Sequence, residues 1–75
     1  MSLSVRVKTK TIARRKSVTD AKKEAEKGLS EYGRIVIRES GTEPVIRILV
    51  EEESIEEAKR VAEKLRVVIE SEEEG

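Results

Sequence analysis

Gly33-Arg34-Ile35-Val36-Ile37-Arg38-Glu39-Ser40-Gly41-Thr42-Glu43-Pro44-Val45-Ile46-Arg47-Ile48-Leu49-Val50-Glu51 is the stretch that decides how this chain folds. Ile35-Val36-Ile37 is a run of β-branched residues and reads as a short strand. Val45 to Glu51 reads as a second strand. Its side chains alternate, with Ile46, Ile48 and Val50 on one face and Val45, Arg47 and Leu49 on the other. Glu39 to Pro44 joins the two. Pro44 has no N–H to give to a ladder, so it can open a strand but not sit in its middle. A minimal hairpin needs only a two-residue loop. Six residues between two strands therefore read as a presented loop, the kind of segment that carries binding residues.

Working outward, Leu3, Val5 and Val7 alternate with Ser4, Arg6 and Lys8, which predicts a half-buried strand. Thr9 to Lys16 has no clean period and ends in Arg14-Arg15-Lys16. It reads as a solvated connection, with phosphate steering as the alternative. A helix is predicted from about Val18 to Glu31, capped by Thr19 or Asp20. Ala21, Ala25 and Leu29 form its inward stripe, with Val18 and Tyr32 near its ends. Gly28 weakens its last turn, and Gly33 is the expected stop. Downstream, Glu51 to Glu53 makes a turn, and Ser54-Ile55-Glu56-Glu57 is a capping box. Ala58, Val61, Ala62, Leu65, Val68 and Ile69 then recur at helical spacing, and Glu56–Arg60 and Glu63–Arg66 pairs decorate the outer face. Ser71 to Gly75 reads as a frayed acidic tail. The order is strand, helix, strand, strand, helix. The expected class is α+β, a small antiparallel sheet with two helices on one face, forming a single domain over residues 1–75.

Composition narrows the function. Seventy-five residues allow one small domain with a thin core. The chain has no Phe and no Trp, so that core is built from Val, Ile, Leu and Ala. Charged residues make up 43%, but 16 basic and 16 acidic side chains cancel. No global field favours nucleic acid or an anionic membrane. No apolar run is long enough to span a bilayer. There is no cysteine, which excludes disulfides and thiolate metal sites and leans towards the cytoplasm. There is no histidine, which removes the commonest general base and metal ligand. Glu51-Glu52-Glu53 and Glu72-Glu73-Glu74 read as solvated carboxylates rather than metal ligands.

The chemistry gathers between Arg38 and Arg47. Two guanidiniums, two hydroxyls and a glycine lie within ten residues. An Arg fork matches phosphate oxygens two at a time. Ser40 and Thr42 supply short donors. Gly41 can take a positive φ, which would turn its N–H and that of Thr42 towards one oxygen. Glu43 repels phosphate, so its role is to orient: it accepts from loop N–H groups or fixes an arginine fork. On residue types alone an ordinary hairpin, with Ser-Gly-Thr turning the chain and both arginines in water, stays equally open.

Gly33 to Pro44, with the flanking strand Val45 to Glu51, resembles the C-terminal signature of the α-D-phosphohexomutase family, and most closely its phosphoglucosamine mutase branch. Ser4-Val5-Arg6-Val7, Lys22 to Tyr32 and Glu56 to Glu70 resemble the neighbouring strand and helices of the same domain. One departure is Glu39, where Pro is frequent in phosphoglucosamine mutases. The resemblance implies a TATA-binding-protein-like α+β fold. It implies a parent enzyme that interconverts sugar 6-phosphates and 1-phosphates through a phosphoserine in its first domain, assisted by aspartate-bound Mg²⁺ in another. The fourth, C-terminal domain would grip the phosphate that is not transferred. Carried over by residue, Arg38, Ser40, the Gly41 backbone and Thr42 would touch that phosphate, and Arg47 would reinforce them. The implied partners are a phosphosugar and the remaining domains of the parent. No catalytic residue, metal or cofactor site is expected in these 75 residues, so the chain alone should not turn over substrate. Phosphomannomutase or phosphoglucomutase is the alternative parent. Two other classes stay open: a small RNA-binding module and a structural module. The first is disfavoured because Tyr32 is the only aromatic residue and cannot by itself form a stacking platform.

Overall fold

The most apolar strand lies at the centre of the sheet. In the computed structural model, which describes residues 1–74, β1 (Ser2–Arg6), β2 (Arg34–Glu39) and β3 (Val45–Glu51) form one three-stranded sheet in the order β1-β3-β2. β3 pairs antiparallel with both neighbours, with Ile48 opposite Leu3 on one side and Ile37 on the other. A strand with partners on both edges satisfies its N–H and C=O groups without help from water. This is why the segment richest in Ile and Val takes the position.

Two helices, α1 (Lys16–Lys27) and α2 (Ile55–Glu74), cover one face of this sheet. Ile46, Ile48 and Val50 are fully buried against Val61, Ala62, Leu65 and Ile69 of α2. Val5, Val7, Ile12, Val18, Ile35 and Ala58 belong to the same cluster. Ala58 and Ala62 are buried on the same face of α2, and among the described residues no buried side-chain polar atom lacks a hydrogen-bond partner. The opposite face carries Arg34, Arg38, Arg47 and Glu51 in the open, with Leu49 37% exposed among them. The α+β architecture with both helices on one face agrees with the sequence reading.

The segment between β1 and α1 does not. Lys10–Arg14 forms a 3₁₀ turn, pinned by Ile12, and α1 begins at Lys16, earlier than predicted. Arg15, with extended backbone at ψ 148°, ends the turn and starts the helix. Thr19 and Asp20 therefore lie inside α1, and neither caps it. No side chain caps that terminus; burial of Ile12 and Val18 sets the start instead. At the other end Gly28 is the cap residue and the helix stops at Lys27, so Gly28 ends the helix rather than weakening its last turn.

Gly33 has a different role from the one expected. It lies beyond the helix, and a Cβ there would sit 2.6 Å from Leu29 Cβ and 2.9 Å from Glu52 Oε2. It permits a close approach rather than stopping a helix. Ser54 caps α2 as predicted, its Oγ accepting from Glu57 N–H at 3.2 Å. The reciprocal half of the capping box is replaced, because the Glu57 carboxylate is taken by Arg60. That pair also supplants the expected Glu56–Arg60 pair, whereas Glu63–Arg66 forms.

The acidic end of the chain continues the helix. α2 runs through Ser71 to Glu74, and Gly75 lies outside the described residues. Arg15 binds Glu72 at 2.9 Å, and Lys8 N–H donates to Glu73 at 2.6 Å. These contacts offset the unfavourable placement of carboxylates at a helix C-terminus.

Candidate functional site

β2 and β3 deliver their arginines side by side. Arg38 and Arg47 are direct cross-strand partners on the sheet face that no helix covers. Ser4 of β1 is the partner of Arg47 on its other side. Arg6 projects from the same face one step nearer the loop, opposite Val45. Like charges directly opposite across two strands are destabilising unless something neutralises them. Arg47 has a partial partner in Glu43, at 3.6 Å. Among the described residues no ion pair involves Arg38.

The loop between the strands is organised by two local devices. Ser40 Oγ accepts from Glu43 N–H at 3.2 Å and from Thr42 N–H at 3.4 Å. Two backbone N–H groups thus converge on one oxygen, as the sequence suggested, but they are those of Thr42 and Glu43, and the oxygen is the loop's own hydroxyl. The second device is a γ-turn about Pro44, in which Val45 N–H donates to Glu43 C=O at 2.8 Å. Proline's fixed φ suits the centre of such a turn. The Pro44 carbonyl then accepts from Val7 N–H at 2.9 Å, which ties the loop to the end of β1.

Gly41 stands at the exposed tip. Its φ is not positive, contrary to the sequence expectation. A Cβ on it would meet nothing within 4 Å. Neither backbone strain nor packing inside this chain requires glycine there.

The structure places Arg38, Arg47, Ser40, Gly41, Thr42 and Glu43 at one end of the sheet. Lys10 joins them, which the sequence reading did not foresee. Its ammonium donates to the Ser40 carbonyl at 2.8 Å. No period marks the segment that carries it, and the contact spans thirty positions of sequence. Its one legible signal was Ile12, a lone large apolar residue in a polar stretch, which anchors the 3₁₀ turn. The neighbouring cluster Arg14-Arg15-Lys16 is occupied by acids: Arg14 holds Glu39 at 2.6 Å, Arg15 holds Glu72, and Lys16 faces Asp20 at 3.7 Å.

Among the described residues no group of three or more ligating side chains is arranged to hold a metal ion. The clustered glutamates have structural tasks. Ser30 donates to Glu52, and its hydrogen bonds hold that carboxyl below its usual pKa of 4.5. Arg15, then Ser17, does the same for Glu72. A cleft of about 570 Å³ lined by Met1, Tyr32, Ile55 and Glu51 to Glu53 lies at the far end of β3 from the loop. A seven-residue strand puts that end roughly 20 Å away. Among the described residues no helix is long and apolar enough to cross a membrane.

Comparison with known proteins gives the family of the domain. Residues 3–68 match the family model described as phosphoglucomutase/phosphomannomutase, C-terminal domain. The chain is 50% identical over 48 residues to a phosphoglucosamine mutase of Streptomyces griseus, covering 64% of this chain and 11% of that protein. It is 48% identical over 54 residues to one of Caldicellulosiruptor bescii, covering 72% of this chain and 12% of the relative. With one of Halorhodospira halophila it shares 40% over 60 residues, covering 80% and 13%. The matches thus span little more than a tenth of each relative's length. A match over sixty-six consecutive residues of seventy-five, reaching from β1 into α2, places this chain in the phosphoglucomutase/phosphomannomutase C-terminal domain family.

Proposed function

We propose that this domain grips the phosphate group of a phosphosugar that is not being transferred, as the terminal part of a phosphohexomutase. The observation that carries this is the Arg38–Arg47 cross-strand pair beside the Ser40–Glu43 loop. Two adjacent guanidiniums on an open sheet face gain most when a dianion lies between them. Ser40 Oγ, already accepting two backbone N–H groups, occupies a position that a phosphate oxygen would suit equally well. A glycine at the tip with no internal reason to be glycine is explained by close approach of something outside this chain. Arg38, Ser40, Gly41 (through its backbone), Thr42 and Arg47 are the proposed contacts, with Glu43 orienting Arg47 at 3.6 Å.

Holding the distal phosphate spends remote binding energy on positioning the reacting end. The transfer itself needs a nucleophile and charge neutralisation by Mg²⁺, which on this reading belong to other domains of the parent. The names of the relatives, phosphoglucosamine mutases, support glucosamine 6-phosphate and glucosamine 1-phosphate as substrate and product; a cytoplasmic setting for the isomerase is part of the same proposal. A calorimetric or ligand-observed NMR comparison tests the proposal. Glucosamine 6-phosphate should bind the chain, and unphosphorylated glucosamine should not. Equal responses to both, or none to either, would rule out recognition of the phosphate.

A further inference from the structure

We infer that Lys10 is a positioning residue for the loop, standing in for a strand-ladder hydrogen bond and so holding the loop's mouth open. Ser40 and Val45 continue the β2–β3 register by one more pair, and Ser40 N–H donates to Val45 C=O at 3.0 Å. In an antiparallel ladder such a pair normally exchanges both of its bonds. Here the return bond is missing. Val45 N–H turns instead to Glu43 C=O, closing the γ-turn about Pro44. That leaves the Ser40 carbonyl without its ladder donor in a partly buried place, and the Lys10 ammonium takes it at 2.8 Å.

The result is a loop prevented from zipping up as an ordinary hairpin. A donor from outside the hairpin satisfies the carbonyl, so Val45 N–H remains free to shape Glu43 and Pro44. The 3₁₀ turn that carries Lys10 is itself fixed, with Ile12 2% exposed in the core. At the other end of the same turn Arg14 holds the Glu39 carboxylate at 2.6 Å. That salt bridge neutralises a carboxylate next in sequence to Arg38, on the opposite face of the sheet. The short turn thus acts twice on the loop stem, through Lys10 on Ser40 and through Arg14 on Glu39.

The open mouth stands on its own geometry; its consequence for anion binding rests on the phosphate-gripping reading. The test uses the full chain and its Lys10→Met, Lys10→Arg, Arg14→Gln and Arg14→Gln/Glu39→Gln variants. Amide relaxation and exchange are measured without ligand, and inorganic phosphate is then titrated. In Lys10→Met the amides of Gly41, Thr42 and Val45 should shift and gain mobility, while the rest of the spectrum stays in place. Phosphate affinity should fall roughly three- to tenfold, the worth of one hydrogen bond in loop positioning. Lys10→Arg should restore both. Arg14→Gln should weaken phosphate because it frees the Glu39 carboxylate, and the added Glu39→Gln change should bring the affinity back. Loop amides unchanged in Lys10→Met would overturn the inference, as would loosened amides with unaltered phosphate affinity. If wild type itself fails to bind phosphate, the proposed function falls, and the ligand-free amide comparison still decides whether Lys10 holds the mouth open.

Discussion

Gly33→Ala and Gly41→Ala probe opposite constraints. At Gly33 a methyl group collides with Leu29 and with the Glu52 carboxylate that binds Ser30 N–H. Overpacking of this kind costs about 1–3 kcal/mol, so Gly33→Ala should lower the urea midpoint clearly. At Gly41 nothing is met and φ is not positive. Gly41→Ala should leave stability unchanged or raise it by about 0.4–1 kcal/mol, through a less free unfolded chain. If a phosphate approaches the loop backbone, the same change should weaken its binding. Denaturation and titration of the two variants would separate packing from function. A Gly41→Ala chain that loses stability and keeps its phosphate affinity would contradict the assignment. Arg38→Ala is predicted to behave like Gly41→Ala. Removing one of two opposed like charges should not destabilise the sheet. It should, however, remove a charge-assisted contact of about 1.5–3 kcal/mol, which amounts to roughly tenfold or more in affinity.

The sheet and α2 were legible because their patterns are dense: β-branched alternation in β3, and six apolar residues at helical spacing in α2. Ser54 also announced its helix, and Ser54→Ala should cost about 1 kcal/mol in a thermal or chemical melt. The 3₁₀ turn and the start of α1 were illegible for a physical reason. They are set by Ile12 and Val18 reaching the core and by long-range contacts, with no capping side chain to mark them. The loop's residues were legible as a set, but its bonding was not. A shift of one residue along the backbone, from the N–H groups of Gly41 and Thr42 to those of Thr42 and Glu43, decides which groups meet Ser40 Oγ. The helical C-terminal segment was hidden for a similar reason. Its glutamates resemble a solvated tail until Arg15 and Lys8 are brought beside them. Those contacts give a pH signature. Glu52, Glu57 and Glu72 all have pKa values lowered from 4.5 by hydrogen bonds that exist only in the folded chain. The unfolded chain therefore binds more protons in acid. The stabilisation is complete above 4.5 and is lost as pH falls through the lower folded values. Urea midpoints should be flat from neutrality down to that point and then decline. A midpoint that rose on acidification would contradict the pairing.

As a whole the molecule is a thin sheet with helices on one side and a loop presented at one end. A domain of this length has a stability of about 4–11 kcal/mol at typical values per residue. Ile48→Ala, at the centre of the core, should cost about 2–5 kcal/mol and bring the chain close to unfolding. The cleft beside Met1 and Tyr32 is remote from the loop. On the phosphate-gripping reading the loop would contribute one wall of a site, enclosed by other parts of a longer protein; the matched stretch spans about an eighth of the relatives' length. Affinity for phosphate should accordingly be weak in isolation, on the order of millimolar, since few contacts are made and the anion stays half solvated. The most direct test is a residue-by-residue NMR titration of the 75-residue chain with inorganic phosphate, in parallel with Arg38→Ala. The predicted result is a saturable shift of the amides of Gly41, Thr42 and Glu43 that is nearly absent in the variant. Shifts scattered over the whole surface, or identical in wild type and Arg38→Ala, would contradict the claim that this loop is built to hold phosphate.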